Sequence, residues 1–325
     1  MNGKRIAAWL LVALAFALGL PLPRHMASAA EPLRVGKADA HTTVFLPVDV
    51  GQRLGFFKKH GVAVDVSNFA GGSKVTQAMI AGGIDIGLNG GIEMAFVAKG
   101  APMRAVCEIM GPIAMVGIAV PYRSPIHTLG QLKGKRIGIS SPGSLTDWMA
   151  KKLAAHEGWG PDGLSRVTIG NQAAAVIAAF RTDAIDADVA ATTNIFKWHE
   201  KQEARLLAPA TSFIGNMAAG TIYASQRLMA DEPEALRRFL AAWLESVEYI
   251  ASHKAETVKI YSEVTGASEE VMSEEYDLTT GAFSRDCKFD AQSLAGLKGA
   301  FADQKLLETS PDMSKLYTEA YLPRQ

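Results

Sequence analysis

Apolar residues recur along this chain with two periods, and the periods alternate. Residues 33–38 form a short apolar run and 62–69 alternate apolar with polar, so both read as strands. Between them, 44–57 carries apolar residues at helical spacing. Gly71-Gly72-Ser73 then leads into a predicted helix over 74–81, a strand over 84–89, and Gly90-Gly91 into a second helix over 92–99. Residues 104–110 and 114–121 are β-like. Such alternation predicts βαβ units around a mostly parallel sheet.

The pattern then restarts. A turn-rich crossing over 121–135 precedes a strand at 136–140, the turn Pro142-Gly143-Ser144 and a helix over 145–157. Strands at 166–170, 184–191 and 204–208 alternate with helices at 173–181 and 194–201, and 220–225 reads as a strand leading out of the unit. Beyond residue 226 the character changes. Leu236, Phe239, Leu240, Trp243, Leu244, Val247 and Ile250 fall on one stripe of a long amphipathic helix, with Asp231 and Pro233 marking its start. Further helices are predicted near 255–264, 268–280 and 291–303. Two α/β units and a helical C-terminus imply two lobes with a cleft between them. In open α/β sheets ligands collect at the carboxyl ends of the strands, so the loops after the strands are where a site is expected.

The N-terminus adds an address. Lys4 and Arg5 precede an uninterrupted run of apolar and small residues over 6–20, Pro21 and Pro23 break it, and Ala27-Ser28-Ala29 supplies a small-x-small cleavage pattern. This reads as a secretory signal peptide over 1–29, too short a run for a membrane span. An uncleaved anchor is the competing reading. With no cysteine at the cleavage site, lipid anchoring there is not expected. The expected product is a soluble exported protein, periplasmic in a Gram-negative host. Cys107 and Cys287 can pair in that oxidising space, but the apolar run around Cys107 favours a buried free thiol.

Length and charge narrow the function classes. The 325 residues suggest about two domains. Thirty-three basic and thirty-three acidic residues cancel, and removing Lys4, Arg5 and Arg24 with the leader leaves 30 against 33. No nucleic-acid footprint is expected, since that needs a clustered basic excess. Two cysteines and seven scattered histidines give neither a disulfide framework nor a zinc-ligand spacing, and no P-loop, Gly-x-Ser-x-Gly elbow or dinucleotide fingerprint is present. No metal and no cofactor are expected.

Several short segments in order carry a resemblance. They are Leu46-Pro47-Val48-Asp49-Val50-Gly51, Gly55-Phe56-Phe57-Lys58-Lys59-His60-Gly61-Val62, Gly71-Gly72-Ser73 and Ile80-Ala81-Gly82-Gly83-Ile84-Asp85-Ile86-Gly87. Leu129-Gly130-Gln131-Leu132-Lys133-Gly134-Lys135-Arg136-Ile137-Gly138, Gly143-Ser144 and Ala184-Ile185-Asp186-Ala187 follow. Together they resemble the periplasmic solute-binding proteins of ABC importers for nitrate, sulfonates, taurine and thiamine-precursor pyrimidines, over about 33–323. The resemblance implies a two-lobe periplasmic-binding-protein type II fold. Each lobe would be a mixed, mostly parallel sheet flanked by helices, with lobe I at 31–120 and 222–325 and lobe II at 121–221. It also implies a small-molecule ligand, hinge closure, an ABC permease as partner, and no catalysis.

The candidate site follows from helix ends and strand-end loops. Gly72 and Ser73 open one helix, and Gly143 and Ser144 open another after a strand ending at Ser140. Free N–H groups and the helix dipole favour an anion at each end, although plain capping by either serine is an equal account. Asp39, His41 and Thr42 lie in the loop after the first strand, which lines the cleft in the family; a solvent-exposed histidine is the plain alternative. Gly91 and Glu93 sit at a helix start, where the dipole alone accommodates a carboxylate. A Glu93 facing the cleft would repel an anion and suit an amine, guanidine or pyrimidine N–H, which an amino-sulfonate or an aminopyrimidine would reconcile with the helix ends. Asn171, Asp188 and Thr192 end strands of the second unit, and Trp148, Phe45 and Tyr223 are aromatic candidates that equally fit the core. The rival function is an exported enzyme acting on a heterocyclic or carboxylated compound, with His41 and Glu93 as its acid–base pair. A yeast-type relative of the family makes a thiamine pyrimidine using a Cys-rich segment, which this chain lacks.

Overall fold

The computed structural model describes residues 31–323, except His41, Ala70, Ser141, Gly143, Pro161 and Asn171. The expected leader and the candidates His41, Gly143 and Asn171 therefore lie outside the described residues. Among the described residues there are ten strands: β1 (Leu33–Lys37), β2 (Val64–Asn68), β3 (Ile86–Asn89), β4 (Met103–Met110), β5 (Val116–Pro121), β6 (Arg136–Ile139), β7 (Ser165–Thr168), β8 (Ala187–Ala191), β9 (Ala204–Pro209) and β10 (Gly220–Ser225). The first six helices are α1 (Leu46–Leu54), α2 (Phe56–Lys59), α3 (Gly72–Ile80), α4 (Met94–Ala98), α5 (Leu145–His156) and α6 (Ala173–Arg181). Six more follow: α7 (Thr192–Glu200), α8 (Gln226–Asp231), α9 (Pro233–Ser252), α10 (Lys254–Thr265), α11 (Glu269–Thr279) and α12 (Ala291–Asp303).

The strands form two five-stranded sheets, ordered β2-β1-β3-β10-β4 and β7-β6-β8-β5-β9. Both are mixed and built on one plan. In the first, β1 runs parallel to β2 and β3 while β10 is antiparallel to β3 and β4; in the second, β6 runs parallel to β7 and β8 while β5 is antiparallel to β8 and β9. The central strands are buried on both faces, which is why 86–89 and 187–190 read as nearly continuous small and apolar runs.

The chain passes between the sheets twice, over 111–115 and over 210–219. These crossings are tied together, since the Met217 N–H donates to the Gly111 carbonyl at 3.1 Å and the Ala219 N–H to that of Met110 at 2.8 Å. Residues 116–120, expected in the first lobe, belong to β5, which pairs instead with β8 and β9. The apolar pattern located this strand but could not say which sheet supplies its partners.

The stripe on α9 is buried as its period requires, with Leu236, Phe239, Leu240, Trp243, Val247 and Ile250 all inaccessible or nearly so, and α9 packs on α1 and α2. A Cys107–Cys287 disulfide joins β4 to the segment before α12, so the free thiol expected at Cys107 is corrected. The Glu108 N–H donates to the Cys287 carbonyl at 3.1 Å, so the two backbones also meet where the cysteines, 180 positions apart, are bonded. Sequence separation gave no sign of that adjacency.

Candidate functional site

At the carboxyl ends of β1 and β3 the backbone turns tightly. Gly71 has φ 110° and ψ 153°, a conformation open to glycine, and its N–H donates to the Ala38 carbonyl at 2.9 Å. Gly71 is the N-cap of α3 and no side chain caps it, so Ser73 is not consumed as a cap. In the second sheet the corresponding turn ends at Ser144, whose Oγ caps α5 by accepting from the Asp147 N–H at 3.3 Å. Thr146 connects Ser144 to Ser140, with its Oγ1 2.9 Å from each hydroxyl oxygen. That relay was not foreseen.

Both helix starts open on one cavity of about 510 Å³. Gly72, Ser73 and Glu93 line it from one side and Ser144 and Leu145 from the other. Ile92, Phe96 and Leu306 make much of the remaining wall apolar, Lys99 is the one cation among the described lining residues, and Gln304 contributes an amide.

Glu93 is the strongest chemical feature of this cavity. Burial pushes its carboxyl up to about 7, although the backbone N–H groups of Glu93 and Gly90 act in the other direction. Its Oε2 is buried and has no hydrogen-bond partner. A methyl group on Gly72 would lie 2.0 Å from Oε1, so the glycine is what admits the carboxyl beneath the start of α3. Asn89 lies alongside. Its Nδ2 donates to the Gly72 carbonyl and to Thr76 Oγ1, both at 3.2 Å, while its Oδ1 is buried and unpartnered. Tyr223 holds the turn from behind, its buried hydroxyl donating to the Gly90 and Gly91 carbonyls at 2.9 and 3.2 Å. It is a core support, as are Phe45 and Trp148, both nearly fully buried.

The other candidates are placed elsewhere. Asp39 accepts from the Thr42 N–H at 3.0 Å, which shapes the loop after β1, and neither residue lines the cavity. Beneath that loop Lys37 is fully buried, with Nζ 2.6 Å from Asp49 Oδ2 and 3.3 Å from the Ala40 carbonyl. Gly91 packs backbone to backbone, donating to the Ala218 carbonyl at 3.1 Å. Ser140 is not among the residues lining the cavity, and its hydroxyl lies 2.9 Å from Thr146 Oγ1. Asp188 is buried in the second sheet against Gly138, where desolvation alone raises it to about 7 and its Oδ1 lacks a partner. Thr192 is buried, and its hydroxyl is taken by Glu275 on α11. Glu275 Oε1 accepts from Thr43 Oγ1 and Thr192 Oγ1, both at 3.0 Å, so one carboxyl bridges the loop after β1, the start of α7 and the C-terminal helices. Burial raises Glu275 to about 7 against the pull of these hydroxyls and that of Thr193. Among the described residues no three His, Cys, Asp or Glu side chains group as a metal site.

The family model described as NMT1/THI5 like matches residues 42–257. The chain belongs to this family. Among relatives, the yeast Saccharomyces cerevisiae 4-amino-5-hydroxymethyl-2-methylpyrimidine phosphate synthase THI5 is 24% identical over 297 residues, covering 86% of this chain and 85% of that protein. A putative binding protein of Brucella abortus is 25% identical over 232 residues, 70% of each chain. The periplasmic aliphatic sulphonate binding protein SsuA of Escherichia coli superposes with a TM-score of 0.74 at 18% identity, covering 89% of this chain and 92% of that one. That likeness shows the fold, which is the periplasmic-binding-protein fold.

Proposed function

We propose that this family member is the exported solute-binding subunit of an ABC importer. Its two lobes, 32–115 with 220–323 and 116–209, close on a small solute and present it to a permease. The solute carries N–H donors for Glu93 and an anionic or electron-rich group between the starts of α3 and α5, as an amino-sulfonate or an aminopyrimidine does. The observation that carries this reading is the buried Glu93 carboxyl, whose Oε2 has no hydrogen-bond partner, beside a cavity lined by Ser73 and Ser144 from opposite sides. An acceptor with no donor is costly in a closed site, and a ligand N–H removes that cost. The same carboxyl disfavours nitrate or a simple sulfonate.

Calorimetric titration of the mature protein against taurine, 4-amino-5-hydroxymethyl-2-methylpyrimidine, methanesulfonate and nitrate tests this. The amine-bearing solutes should bind and the simple anions should not. Binding of the simple anions alone, or of none of the four by a folded protein, rejects the reading. The enzyme reading draws support from the synthase names of the yeast relatives and from the carboxyl near 7. It predicts turnover of the aminopyrimidine that Glu93→Gln abolishes while binding survives.

A further inference from the structure

Helix α12 ends where the two sheets' helices meet. Its buried face, Leu297, Ala300 and Phe301, joins the core on the side of the first sheet, and the Asp290 N–H before it donates to Glu108 Oε2 on β4 at 3.0 Å. Its last residue reaches α5 of the second sheet. Asp303 Oδ2 accepts from Trp148 Nε1 at 3.3 Å and lies 3.0 Å from Lys152 Nζ. Asp303 and Lys152 are both substantially exposed, so this contact fixes position more than it adds stability.

The chain then reverses. Lys305 adopts φ 52°, the Lys305 N–H donates to the Ala302 carbonyl at 3.1 Å, and the Leu306 N–H donates to that of Phe301 at 3.0 Å. This closes the helix in a Schellman-type cap whose flanking residues, Gln304 and Leu306, both line the cavity. The Gln304 Nε2 atom is itself buried, without a hydrogen-bond partner. A buried amide N–H₂ with no acceptor is costly. It complements the unpartnered Glu93 Oε2 of the same cavity, one group needing an acceptor and the other a donor.

We propose that the end of α12 forms a third wall of the binding cleft and that Gln304 is a specificity-determining residue, its amide donating to an acceptor atom of the solute while Asp303 clamps the wall onto α5. This inference rests on the solute-binding reading above. It adds that the solute must carry an acceptor as well as donors, so that a molecule with N–H donors alone is discriminated against.

The test uses two matched pairs, taurine with n-propylamine and 4-aminopyrimidine with aniline, in which the first member has acceptors that the second lacks. Affinities are measured by calorimetry for the wild-type protein, Gln304→Leu and Gln304→Met, with circular dichroism confirming the fold. Gln304→Met keeps the unbranched shape and removes the donor without adding charge, so it serves even if Gln304→Leu unfolds. The wild type should prefer the acceptor-bearing member of a pair. Both variants should lose about tenfold of that preference, the scale of one unmade hydrogen bond, and bind the acceptor-free member as before. An unchanged preference, or an equal loss for both members, overturns the role of Gln304 while leaving the solute-binding function intact. A wild-type protein that binds neither pair overturns that function and this inference with it.

Discussion

Ligand affinity should depend on pH through Glu93, and the structure sets the size of the effect. The free carboxyl is held up to about 7 by burial. A ligand ammonium or N–H placed against Oε2 favours the ionised form, so binding requires the proton to leave. With a free-state value near 7, roughly a tenth of the sites are ionised at pH 6 and roughly nine tenths at pH 8. The apparent affinity should therefore rise about tenfold across that interval, about 1.4 kcal/mol. Taurine suits the measurement because its own charge is constant over the range. Titrations at pH 6, 7 and 8 in buffers of different ionisation enthalpy would also show a proton released on binding, most of all at pH 6. Glu93→Gln should flatten the profile, because the amide does not titrate, and weaken binding at pH 8. A wild-type affinity that is level from pH 6 to 8, or an equal slope in Glu93→Gln, refutes the argument.

Three further outcomes follow from the packing. Gly72→Ala places a methyl carbon 2.0 Å from Glu93 Oε1 and 2.6 Å from Asn89 Oδ1, so Glu93 must be displaced; taurine binding should fall by tenfold or more while the melting temperature drops by only a few degrees, as titration and calorimetric melting would show. Reducing Cys107–Cys287, which spans 180 positions, should cost about 5 kcal/mol by the loop-closure relation, read as a lower guanidinium midpoint with dithiothreitol than without. Glu275 is raised to about 7 from 4.5, so folding takes up a proton there; its contribution is fully present below about 4.5 and lost as pH rises through about 7. Glu275→Gln should accordingly make the pH dependence of unfolding free energy between 4.5 and 7 less negative, and an unaltered slope in urea melts would place that titration elsewhere.

The fold was legible because it is written in local periods, and the site only where it is written in the backbone. Alternating strands and helices, the α9 stripe and the turns at Gly71 and Pro142 follow from spacing and glycine placement, and they put Gly72, Ser73 and Ser144 on one cavity. Side chains whose roles depend on distant partners were not legible in this way. Thr192 reads as a strand-end hydroxyl open to ligand, yet Glu275, 83 positions on, accepts its hydrogen bond. Asp188 reads as a polar strand end, yet β6 offers Gly138 beside it and the carboxyl is buried in the space a side chain would fill. Gln304 gave no signal at all, because a glutamine at a helix end is ordinary until Lys305 turns the chain and Asp303 carries that end to α5. What separates the two groups is the sequence distance over which the deciding contact is made. A helix start carries its N–H groups with it, whereas a buried acceptor acquires a function only from what the rest of the chain brings to it.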